Sequence, residues 1–175
     1  NAVAMRGVND DEMVELVQFA MDHDAGLRFI EQMPLDAGHT WDRAQMVTRE
    51  EILDTLSARF KLTPIPGRGG APAERWSING GPHTVGVIAS VTAPFCGNCD
   101  RLRLTADGQL RNCLFSATEY DLMPALRQAG ETSLASTDAA IEDMLRSCVH
   151  GKLPGHAIND PSFLQPTRGM NAIGG

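Results

Sequence analysis

The stretch from Pro94 to Phe115 constrains this chain most. It gathers three of the chain's four cysteines, Cys96, Cys99 and Cys113, around a hairpin signal. Two residues separate Cys96 from Cys99, so one tight turn aims both sulfurs at one ion or cluster. Arg101 to Leu104 alternate polar and apolar like a strand, Asp107-Gly108 is a strong turn signal, and Gln109 to Asn112 fit the return strand. A hairpin of that length brings its end back beside its beginning, which predicts Cys113 near Cys96 and Cys99. Three convergent thiolates leave one coordination position open. A structural zinc site takes a fourth protein ligand, for which His83 is the candidate. A [4Fe–4S] cluster held by three cysteines keeps one iron free for a substrate. Spacing alone leaves zinc, iron–sulfur and unmetallated thiols open. Arg101 and Arg103 share one face of the outgoing strand by parity. Two guanidiniums there either bind a polyphosphate or are solvated surface groups.

Composition narrows the partners. The 175 residues suffice for one domain or one and a half. A net charge of −7 argues against general nucleic-acid binding, which needs a basic face, but leaves room for a nucleotide held by a local arginine pair. No run of about eighteen apolar residues spans a membrane. Four cysteines with three clustered fit an intracellular metal-binding protein better than a disulfide framework.

Along the chain, Asn1 to Met5 reads as a short buried strand. Asn9-Asp10 offers a helix cap, and Val14, Leu16, Val17, Phe19, Ala20 and Met21 give the following helix a broad apolar face. Leu27 to Met33 is a second strand, so the opening is a βα unit of a barrel or doubly wound sheet. Met33 falls at that strand's C-terminal end, where βα barrels build their sites. Glu31 is a carboxylate on an apolar strand, fitting either a satisfied structural group or a cavity-lining one. Thr48 to Glu51 is a capping box opening an amphipathic helix through Phe60. The proline- and glycine-rich stretch 63–72 predicts a linker and the domain boundary. Glu74 to Ile78 and His83 to Ser90 predict a β-hairpin, and two helices are expected near Asp121 to Ala129 and Asp138 to His150. Cys148 in the second helix is expected to be a buried small apolar residue. Lys152 and His156 read as solvated surface groups in preference to catalytic ones, and the tail from Asn159 carries few signals for regular structure.

Cys96-Gly97-Asn98-Cys99-Asp100-Arg101-Leu102-Arg103-Leu104-Thr105-Ala106-Asp107-Gly108, followed by Cys113-Leu114-Phe115, resembles the second cluster site of the molybdenum cofactor biosynthesis protein A family, the radical S-adenosylmethionine GTP 3′,8-cyclases. Three further blocks resemble the same family in the same order. Asn1 to Asp10 and Leu27 to Leu35 look like two late barrel strands, and Arg168-Gly169-Met170-Asn171-Ala172-Ile173-Gly174-Gly175 looks like its glycine-ended tail. The resemblance implies an α/β fold: residues 1–62 are the C-terminal part of an incomplete TIM-type βα barrel, and 73–175 are a small α+β region binding a cluster and GTP. It implies that Cys96, Cys99 and Cys113 hold a [4Fe–4S] cluster whose open iron faces guanine. It further implies that Arg101, Leu102 and Arg103 bind GTP, that Met33 lies against S-adenosylmethionine, and that Gly174 and Gly175 enter the active site. The family's chemistry is abstraction of the ribose 3′ hydrogen by a 5′-deoxyadenosyl radical and attack on guanine C8, with a cytoplasmic setting and cyclic pyranopterin monophosphate synthase downstream. The family's initiating cluster, a second [4Fe–4S] on a Cys-x3-Cys-x2-Cys motif, has no counterpart in these residues. The chain therefore reads as the C-terminal half of a longer protein and is expected to be inactive alone. Its cut barrel edge favours self-association, for instance as a homodimer. The competing expectation is a non-enzymatic zinc or electron-transfer module on the same three thiolates.

Overall fold

The computed structural model describes residues 1–36, 38–128, 133–161 and 163–173. Its packing divides the chain into two units, Asn1–Pro34 with Trp41–Cys99 and Leu35–Thr40 with Asp100–Gly175. The division falls between Cys99 and Asp100 and not at 63–72. That stretch opens with a strand, and strands on both sides of it pair in one sheet, so it connects neighbours within the first unit.

The first unit runs β1 (Ala2–Ala4), α1 (Met13–Asp22), β2 (Leu27–Glu31), α2 (Arg49–Ser57), β3 (Leu62–Ile65), β4 (Glu74–Ile78) and β5 (Thr84–Ile88). The strand order is β1-β2-β5-β4-β3. β1, β2 and β5 are parallel, with Ala2 opposite Phe29 and Phe29 opposite Val87. β4 then pairs antiparallel with β5 and with β3. The expected βα unit and the β4–β5 hairpin are both present, in a mixed sheet.

Two local details differ from expectation. The helix α1 buries Met13, Val17 and Ala20, at three- and four-residue steps, while Phe19 lies outside and stacks on His23 with ring centroids 4.1 Å apart. Phe19 is two positions from Val17, about 200° round the helix, so apolar character alone misplaced it. Asn9 does not cap α1. Its side chain accepts from the Met5 amide (2.8 Å) and donates to the Val3 carbonyl (3.0 Å), tying off β1. The capping box of α2 is present, with the Thr48 amide donating to Glu51 Oε2 (2.9 Å) and the Glu51 amide to Thr48 Oγ1 (3.2 Å). Ile52 and Leu56 of this helix join Val17, Phe29, Val85 and Val87 in the core.

The second unit holds β6 (Arg103–Leu104), β7 (Gln109–Arg111) and β8 (Tyr120–Asp121) in an antiparallel sheet, α3 (Met123–Arg127) and α4 (Leu134–His150). The β6–β7 turn forms where Asp107-Gly108 predicts it. Gly108 has φ +82°, a left-handed conformation open to glycine, and a Cβ there would stand 2.6 Å from Met123 Sδ. Leu110, Leu122 and the fully buried Cys148 form the centre of this unit, flanked by Leu102, Tyr120 and Met144.

Candidate functional site

Cys96 and Cys99 lie on a single 3₁₀ turn, Cys96–Asn98, in which the Cys99 amide donates to the Cys96 carbonyl (3.1 Å). Both residues are half-buried, and neither is in a disulfide. Phe95 opens the turn, and the Arg68 guanidinium sits 5.0 Å above its ring, braced by an ion pair to Glu74.

The chain reaches this turn past Glu31. Glu31 is completely buried at the end of β2, and its carboxylate accepts from the amides of Arg49 (2.8 Å), Val91 (2.8 Å) and Thr92 (2.9 Å) and from Thr92 Oγ1. Arg49 is the first residue of α2, so the carboxylate also faces the positive end of that helix. Of its two sequence readings, the satisfied structural carboxylate is the one observed. Met33 lies two residues beyond β2 and is half-buried.

Cys113 belongs to the second unit, just after β7, and is a half-buried free thiol. The Phe115 amide donates to its sulfur at 3.5 Å. Phe115 is buried, with the His156 ring 4.8 Å away and Phe163 edge-on at 5.9 Å. His156 is therefore a packed ring whose Nδ1 accepts from the Ile158 amide (3.2 Å), not the solvated group expected. Cys148 is buried as expected, and burial pushes its thiol pKa up. Among the described residues, no group of three or more His, Cys, Asp or Glu side chains is assembled as a metal site. His83 lies in the first unit at the start of β5, its carbonyl accepting from the Ile78 amide (3.0 Å).

β6 is shorter than the alternation suggests. Arg103 is on it, while Arg101 precedes it and is exposed. The Arg103 guanidinium donates to the carbonyl of the buried Ile173 (3.3 Å), and Leu102 packs on the unit's core. Gly174 and Gly175 lie outside the described residues. The segment leading to them is fastened. The Met170 amide donates to the Leu35 carbonyl (2.9 Å), and Arg168 grips Asp107 (2.8 and 3.2 Å) and Glu119 (2.7 and 3.0 Å). The Arg168 guanidinium holds the Asp107 carboxyl down to about 2, with the Thr105 hydroxyl assisting. The folded value lies below the ordinary one, so this contribution is whole above pH 3.8 and is lost as pH falls through about 2.

Several of these residues escaped the sequence reading. Lys152, expected to be solvated, donates to the Arg101 and Asn112 carbonyls, each at 2.7 Å. Arg111 is buried and paired with Glu119, and Asp107, read only as a turn residue, receives Arg168. Leu110 takes the inward parity of β7, so alternation assigns its neighbour Arg111 to the other face, and no local signal marked Arg111 as buried. Arg6 pairs with Glu51 (2.5 Å) and Asp10 (3.9 Å), and the stem of Arg28 covers Gly86 of β5.

The α/β chain thus sets a Cys-x2-Cys turn after a mixed sheet and a third cysteine after a hairpin. The model of the family Molybdenum Cofactor Synthesis C matches residues 25–158, and the chain belongs to that family. A GTP 3′,8-cyclase of Streptomyces coelicolor is 54% identical over 177 residues, covering 100% of this chain and 50% of its own length. One of Mycolicibacterium smegmatis is 51% identical over 170 residues, covering 94% and 45%. A protein of Mycobacterium bovis named GTP 3′,8-cyclase 2 is 47% identical over 180 residues, covering 100% and 48%. The chain thus spans about half the length of the curated relatives it matches. No described helix is long and apolar enough to cross a membrane.

Proposed function

We propose that this chain is the C-terminal half of a GTP 3′,8-cyclase acting in molybdenum cofactor synthesis in the cytoplasm. The observation that carries this reading is identity of about half to relatives of that name along the whole chain, and three cysteines outside any disulfide support it. In the complete protein β1 and β2 would belong to a TIM-type βα barrel, with Met33 against S-adenosylmethionine. The initiating [4Fe–4S] cluster and the remaining barrel strands would come from outside these residues, so the chain alone is expected to be inactive.

Cys96, Cys99 and Cys113 would hold a [4Fe–4S] cluster. The donor set fits: three half-buried thiols, none in a disulfide, one accepting a backbone N–H of the kind that tunes ligand sulfurs. When bound, this group supplies an open iron for the guanine base. The chain's own task is then to orient the nucleotide so that one ribose hydrogen is presented. Arg101 and Arg103 would pair with the phosphates, Leu102 would seat the strand between them, and the tail through Gly174 and Gly175 would close on the substrate. The product would pass to cyclic pyranopterin monophosphate synthase, and a homodimer is the oligomer proposed.

Two measurements test this. Anaerobically reconstituted protein is expected to bind iron and sulfide that Cys96→Ala, Cys99→Ala and Cys113→Ala each remove and Cys148→Ala does not. Zinc at one per chain without sulfide would support the non-enzymatic module instead. In titrations of the complete protein with GTP, Arg101→Ala and Arg103→Ala are each expected to weaken binding by roughly 1.5–3 kcal/mol, the scale of one charge-assisted contact. Unchanged affinity in both would remove the arginines from the site.

A further inference from the structure

We propose that Lys152 is a positioning residue for the thiolate ligands, acting as a cross-tie just beyond the end of the β6–β7 ladder. This inference rests on the cluster reading above. The last backbone pair of that ladder is Arg103 opposite Arg111. Beyond that pair, towards the cysteine ends of both strands, the Lys152 ammonium donates to the Arg101 carbonyl (2.7 Å) and to the Asn112 carbonyl (2.7 Å). Arg101 is the second residue after Cys99, and Asn112 immediately precedes Cys113. A single ammonium thus fixes the separation of the two chain segments that lead from one ligand and into another.

Its mount is rigid. Lys152 follows the C-terminal turn of α4, where the Gly151 amide donates to Ser147 (2.9 Å) and the Lys152 amide to Val149 (3.1 Å). Asn112 Nδ2 donates back to the Gly151 carbonyl (2.7 Å), and the Tyr120 hydroxyl donates to Ser147 (3.3 Å). A Cβ on Gly151 would stand 2.8 Å from the Tyr120 oxygen and 3.2 Å from Asn112 Nδ2, so the helix end is pressed against the hairpin. Cys148, one turn earlier in α4, packs against Leu110 of β7. An ammonium suits the task because it carries several donors on one atom and directs two of them at carbonyls that an apolar side chain would leave unpaired. It lies outside the ligand set and acts through the backbone of its neighbours, as outer-shell groups of metal sites do.

The test uses the full chain, reconstituted anaerobically as wild type, Lys152→Met, Lys152→Arg, Lys152→Gln and Cys113→Ala. Three readouts are taken: retention of iron under a chelator, the electron paramagnetic resonance spectrum of the reduced protein, and thermal melting. Lys152→Met is expected to surrender the iron above the Cys113→Ala baseline about 10–100-fold more readily, the scale of lost outer-shell support. Its spectrum should shift while its melting curve stays close to wild type, and Lys152→Arg, which keeps the donors, should recover most of both. Wild-type retention and spectrum in Lys152→Met, with iron lost in Cys113→Ala, overturns the cross-tie and leaves the cluster reading standing. Undiminished iron in Cys113→Ala overturns the cluster reading and the cross-tie together. Should Lys152→Met fail to fold, Lys152→Gln decides the matter: a wild-type spectrum and chelator resistance there refute the inference, and losses like those above support it.

Discussion

Glu31→Gln is expected to destabilise the protein by at least about 3 kcal/mol, nearly as much as Glu31→Ala, because each buried donor left unsatisfied costs about 1–3 kcal/mol. The near-isosteric change fails for a geometric reason. One carboxylate oxygen accepts from both the Val91 and Thr92 amides, and the other from the Arg49 amide and the Thr92 hydroxyl. An amide must turn its NH₂ towards one of these sides. It then meets backbone N–H groups that are themselves donors and cannot rotate away. Loss of charge also removes the favourable interaction with the first turn of α2. Against a total stability of about 5–15 kcal/mol, the change should move a urea midpoint strongly to lower concentration with the slope preserved. A shift within about 0.5 kcal/mol, as at an ordinary surface site, would show that these bonds are solvated in solution. The effect should reach the thiols as well, since Val91 and Thr92 lead directly to the Cys96 turn.

The second large effect is expected at Glu119. This carboxylate lies between two guanidiniums: Arg111, almost fully buried, and Arg168 of the tail. Glu119→Ala leaves Arg111 with its charge uncompensated in the interior, where breaking one partner of a buried pair costs about 3–5 kcal/mol. Arg111 has little reserve. Its Nη2 already donates to the Ser116 carbonyl, and its Nε has no hydrogen-bond partner among the described residues. Removing both charges in the double variant Arg111→Met with Glu119→Leu should recover much of the loss, because no buried ion remains unpaired. Hydrogen exchange would locate the change. Faster exchange in Glu119→Ala should include the Met170 amide, since Arg168 keeps only Asp107. Equal destabilisation of the single and double variants would mean that packing, not charge, dominates there.

What the residues disclosed beforehand was the chemistry that acts over a few positions. The capping box at Thr48 and Glu51, the β6–β7 turn at Asp107-Gly108, the β4–β5 hairpin and the apolar character of Cys148 are each decided by a neighbour within a turn or a strand. Polar ties across the sequence were not legible. Lys152 reaches Arg101 over 51 positions, Arg168 reaches Asp107 over 61, and Glu31 reaches Val91 over 60. Nothing in the local pattern of Lys152 separates a strut from a surface lysine. The tail from Asn159 lacks periodicity because single anchors, Arg168, Met170 and Ile173, hold its described part, and periodic patterns report faces instead of anchors. Arg101 fell off the expected strand because alternation marks which face a residue would take, not how far the ladder extends.

The mixed sheet also sets an order of assembly. β3, β4 and β5 follow one another through short connections and can zip together early, since little chain entropy is lost in closing them. The parallel contact of β2 with β5 requires closure of a far longer loop, and the bonds of Glu31 to Val91 and Thr92 span that same loop. Interactions that form after the rate-limiting step leave the folding rate alone and slow unfolding. Glu31 is therefore expected to act as a catch on the way out of the native state, with Glu31→Gln raising the unfolding rate and leaving the folding rate nearly unchanged.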